Sequence, residues 1–100
     1  MEVMTRRDIV EENLMDANPE ALFADGFDDA IIGLSRRINL DHIVCYSYSK
    51  CIEILMKRDG INYVEAVEYM EFNVVGAYMG ENTPIFIDSI VHVDRINVKL

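Results

Sequence analysis

Polar caps followed by apolar residues at helical spacing alternate along this chain with short apolar runs of strand character. Thr5 stands three residues before Asp8, the spacing of a capping box. A short helix is expected from there to about residue 15, with Arg7 and Glu11 paired one turn apart and Ile9, Val10, Leu14 and Met15 as its apolar face. Asn18-Pro19 reads as a second start, because asparagine caps and proline suits the first helical position. The segment PEALFAD is thus predicted to be a short helix that Gly26 ends. Residues 30–34 (AIIGL) and 43–46 (IVCY) read as buried strands, joined through the polar SRRINLD as a hairpin.

Helical signals then return. Ser47 or Ser49 caps a helix through about residue 58, with Cys51, Ile52, Leu55 and Met56 turned inward. Glu53 and Lys57 are placed to pair one turn apart. Lys57 and Arg58 suit its last turn, and Gly60 stops it. Asn62 and Glu65 repeat the capping-box spacing and open the longest predicted helix, to about residue 78. Tyr63, Val67, Met70, Val74 and Ala77 or Tyr78 share its apolar face. After Gly80 and Pro84, PIFIDSIVHVDRINVKL alternates as one or two strands, with Asp94-Arg95 as a turn or bulge. Strands on both sides of a helical middle predict an α+β two-layer sandwich. Its antiparallel or mixed sheet has three or four strands, with two main helices and a short N-terminal one.

One hundred residues suffice for a single domain, and 51% apolar residues can supply its core. No run approaches the roughly 20 apolar residues of a membrane span. The opening MEVMTRRDIVEE carries no apolar segment of a secretory signal, and two cysteines fit a reducing compartment, so cytoplasmic residence is expected. Eighteen acidic against nine basic residues leave a net charge of −9, with the basic pairs dispersed, which argues against direct nucleic-acid binding. The apolar content and the apolar C-terminal strand, whose edge would lie open, predict a twofold homodimer.

Chemistry has few places to reside. Asp25, Asp28 and Asp29 surround Gly26 in a loop that could hold a hard cation, although the spacing of an EF-hand is missing. The alternative is that these carboxylates accept from backbone amides while Gly26 turns the chain. His42, Cys45, Cys51 and His92 lack the short cysteine pair of a zinc site, and Cys45 and Cys51 fall on apolar faces, so both are expected buried and reduced. No nucleophile elbow or phosphate loop occurs, and no cofactor is called for. Glu65, Glu68 and Glu71, three apart, form an acidic ridge along the long helix, either a solvated face or a contact for a basic partner. Asn73 sits near the predicted inner face, where it either bonds backbone or contacts a ligand.

The strings EALFADGFDDAIIGL and VCYSYSKCIEILMKRDGINYVEAVEYMEFNVVGAYMGENTPIFI resemble a group of small proteins encoded by tailed bacteriophages and related mobile elements. The resemblance spans roughly residues 20 to 87, loosely between Leu34 and Ile43. It divides the single domain into an N-terminal helical extension (1–18), a family-like core (19–87) and a C-terminal strand extension (88–100). No activity comes with it. It implies a phage-type origin and action inside a bacterial host cell. The expectation is a non-enzymatic accessory protein that binds a host or phage protein through its acidic surface. The rivals are a metal-dependent enzyme centred on Asp25, Asp28 and Asp29, and a small-ligand binder with a pocket near Asn73, Tyr78 and the strand after Pro84.

Overall fold

Local signals close most elements where the chain announces them. In the computed structural model, which describes residues 3–89, helix α1 spans Arg6–Ala17, with Thr5 and Asp8 capping each other at 3.1 and 3.0 Å. These bonds hold the Asp8 carboxyl below the usual carboxylate range. Arg7 meets Glu11 at 2.8 Å as the spacing requires. Only Val10 and Leu14 of the apolar face are buried, however, and Ile9 and Met15 stay exposed.

Strands β1 (Ile31–Arg37) and β2 (Leu40–Ser47) form the expected antiparallel hairpin, with Leu34 opposite Val44. Asn39 takes the left-handed backbone in its two-residue turn (φ 60°). Ser47 then caps α2 (Tyr48–Asp59), which Gly60 stops in the left-handed conformation. Cys51, Ile52 and Leu55 are buried, whereas Met56 lies at the surface. Glu53 pairs with Lys50 at 3.7 Å.

Asn62 and Glu65 cap each other at the start of α3 (Tyr63–Tyr69). The single long helix predicted to residue 78 does not form. After Tyr69 the chain widens into a π-helical turn (Met70–Val75) and ends there. The closing bond runs from Gly76 N–H to the Glu71 carbonyl at 3.1 Å, and a Cβ at Gly76 would stand 2.6 Å from that oxygen. Glycine is what permits this closure. The buried face is accordingly Ala66 and Met70, while Tyr63 and Tyr78 are exposed.

The segment 19–25 is also not the predicted helix, because distant partners take its backbone donors. Leu22 N–H donates to the Asn82 carbonyl (3.1 Å) and Ala24 N–H to the Tyr46 hydroxyl (2.8 Å). Asn18 ends α1 rather than opening a second helix. It is 2% exposed, donates from Nδ2 to the His42 carbonyl (2.8 Å) and to Asn82 Oδ1 (2.9 Å), and accepts from Glu20 N–H at 3.1 Å. One buried amide thus ties the end of α1 to β2 and to the turn before β3, all its polar atoms satisfied.

Strand β3 (Ile85–Ile87) pairs with β2 in parallel, Tyr46 opposite Phe86. The order β1-β2-β3 makes a mixed open sheet, and the α2–α3 segment is the crossover that parallel pairing demands. The architecture is a small α+β fold, as expected. Asp94-Arg95 and any further strand lie outside the described residues. Central β2 is buried on both faces: Val44 and Tyr46 join the main core with Leu55, Ala66 and Met70, and Ile43 and Cys45 are buried on the other. Both cysteines are free and buried, and burial pushes the Cys51 thiol up to about 12.

Candidate functional site

The acidic loop is assembled differently from the sequence expectation. Gly26 does take positive φ (90°), and a Cβ there would meet Arg58 Nη1 at 2.7 Å. The Asp25, Asp28 and Asp29 side chains, however, make none of the expected bonds to backbone amides among the described residues. Instead α1 holds the turn. Arg6 donates to the Asp29 and Ile31 carbonyls at 3.2 and 2.9 Å, and Arg7 pairs with Asp28 at 3.4 Å. Among the described residues no three His, Cys, Asp or Glu side chains converge as a metal site. Asp25 is exposed and has no hydrogen bond or ion pair among them.

The acidic ridge is not a uniform surface either. Glu65 is engaged at the Asn62 cap (3.1 Å), and Glu71 accepts from the Tyr48 hydroxyl at 3.0 Å. Burial, with Glu71 second, pushes that phenol up to about 12. Glu68 alone of the three makes no hydrogen bond or ion pair among the described residues. Val64, Glu68 and Phe72 stand four apart, so they share the outer face, with Val75 beyond them. Phe72 is 82% exposed, and Tyr78 and Met79 just past the helix are 75% and 70% exposed. Sequence reasoning passed over Phe72. Its signal was available, as a large aromatic on the side of the predicted helix opposite its apolar face.

Asn73 is exposed at the π turn rather than bonded to backbone beneath it. It lines a half-open pocket of about 330 Å³ between the loop that carries Phe23, Asp25 and Phe27, the Tyr69–Ala77 stretch, and Phe86 of β3. Pro84 lines this pocket too, whereas Tyr78 lines a neighbouring depression. The walls are mostly apolar, with Phe23, Phe27, Tyr69 and Phe86 among them. Arg7 lies over the Phe23 ring at 4.3 Å and Arg58 over Phe27 at 5.6 Å. Both guanidiniums have carboxylate partners, Arg7 in Glu11 and Asp28, Arg58 in Asp59 at 3.1 Å. Among the described residues no helix is long and apolar enough to cross a membrane.

With Asp28 held by Arg7 and the three carboxylates apart, added Mg²⁺ or Ca²⁺ should leave the melting temperature unchanged. A rise of several degrees at micromolar metal would contradict this assembly of the loop.

No family model matches the chain, and neither does any curated protein or solved structure.

Proposed function

We propose that this chain is a non-enzymatic accessory protein of bacteriophage type, acting in the cytoplasm of a bacterial cell by binding another protein. The contact surface is the outer face of α3 and the π turn. One observation carries the reading: a stretch whose charge is entirely acidic also exposes large apolar side chains. From Asp59 to Asp88 the chain has six carboxylates and neither lysine nor arginine. The same stretch exposes Val64, Phe72, Tyr78 and Met79. Leaving one such large side chain in water forgoes about 1.5–3 kcal/mol that burial in an interface would return. Exposed apolar groups amid polar ones mark interaction surfaces, and an unbalanced acidic rim selects a basic partner and speeds encounter with it.

The test uses the whole chain as bait in host lysate, beside Phe72→Ser and Glu68→Lys, neither of which removes a cap or a core residue. A protein with a basic surface should be retained by the native chain and lost with both variants. A partner recovered equally by all three baits would remove this face from the function.

A homodimer is a companion proposal, and it rests on a different surface. Among the described residues β3 is an outer strand, with Ile85 and Ile87 about 40% exposed. The acidic helical face opposes its own copy, so pairing at the sheet edge is the arrangement offered. Light scattering should give twice the chain mass at high concentration, and a monomer mass there would refute the dimer.

A further inference from the structure

We propose that the pocket between the Phe23–Phe27 loop, the π turn and β3 receives an arginine side chain of the bound partner. The proposal rests on the protein-binding reading above and names the anchor of that contact. The pocket's chemistry selects the entrant. Among the described residues Asp25 is the only charged one that lines it, and no cation among them pairs with it. An anionic group would be repelled by that carboxylate. A purely apolar group would cover the carboxylate without giving it a partner, which is costly.

A cation on an apolar stem satisfies both parts of the lining. The stem lies along Phe86, Val74 and Pro84, and the head meets Asp25 and the Asn73 amide oxygen. Arginine fits better than lysine, since a planar, weakly hydrated guanidinium stacks on aromatic rings and presents a fork of donors to a carboxylate. The phenyl rings of this loop already hold guanidiniums, Arg7 over Phe23 and Arg58 over Phe27. Access also agrees. The pocket is open on one side, and Tyr69 and Met79, which line it, are themselves exposed. A partner that covers Tyr69 and Met79 is therefore positioned to insert one side chain. Buried arginine anchors of this kind commonly dominate interface energies.

The probe is the peptide acetyl-Leu-Arg-Leu-Arg-Leu-amide, titrated into the full-length ¹⁵N-labelled chain and followed by NMR. The Asn73 side-chain amide and the Gly26 backbone amide should shift together with Phe72 and Val75. Replacing both arginines by citrulline, the neutral isostere, should weaken binding about tenfold or more, as loss of a charge-assisted hydrogen bond does. Asp25→Asn should lose as much, whereas Glu81→Gln, which removes an equal charge outside this pocket, should change affinity by about twofold at most. Melting curves establish that both variants are folded. Shifts at Phe72 and Val75 with Asn73 and Gly26 unmoved would overturn the anchor while leaving the helical face in place. Equal losses for Asp25→Asn and Glu81→Gln, or equal binding by the citrulline peptide, would also overturn it. N-acetylargininamide binding as tightly as the peptide would assign the pocket to a free guanidinium compound and overturn the partner-anchor form. The absence of shifts anywhere would count against anchor and face together.

Discussion

The side chain of Tyr46 joins the parts of this fold that no local signal could join. It is fully buried at the centre of β2, and its hydroxyl accepts from Ala24 N–H at 2.8 Å. Its ring stacks on Phe86 of β3 with centroids 5.3 Å apart. One residue therefore fixes two of the pocket's three walls, the 22–27 loop and β3, to the same strand. Burial, ahead of every other influence, pushes its phenol up to about 12, so it stays neutral while it holds the loop. The loop needs that bond. Without helix or sheet of its own, its amides must find partners elsewhere.

The same dependence explains what could be read from sequence. Capping at Thr5 and Asp8, at Ser47, and at Asn62 and Glu65 involves residues three apart, and each cap formed where the spacing put it. The hairpin and the α+β class follow from equally local patterns. Residues 19–25 misled because Asn18-Pro19 has the form of a helix start. The competing bonds, from Asn18 to His42 and Asn82 and from Ala24 to Tyr46, cross 22 to 64 positions. The parallel seating of β3 is likewise long-range. The π turn was hidden for another reason, since periodicity at 3.6 residues cannot register a widened turn.

The candidate site divides along the same line. Asp25 and Asn73 were legible as polar oddities, but their convergence at one pocket with Phe23, Phe27 and Phe86 was not. The triplet Glu65, Glu68 and Glu71 was legible as a ridge, yet two of its members have structural tasks. Glu65 completes a cap and Glu71 holds Tyr48. Reversing all three charges would therefore disturb the helix start as well as the surface, and Glu68 is the residue that reports on the surface alone. The fold contributes an acidic face that also exposes apolar side chains, and a recess whose lining includes four aromatic rings. The recess exists because π-turn closure at Gly76 and the Tyr46 bond bring its walls together.

The most direct test of this anchoring is amide hydrogen exchange in Tyr46→Phe. The substitution keeps the ring and its stacking on Phe86 but leaves the part-buried Ala24 N–H without its acceptor, a loss of about 1 kcal/mol. Exchange should accelerate at Ala24 and through Phe27, while Leu34 and Val44 in the β1–β2 ladder remain protected relative to it. Unchanged protection at Ala24, or an equal loss at the loop and the ladder, would contradict the claim that this hydroxyl holds the loop to the sheet.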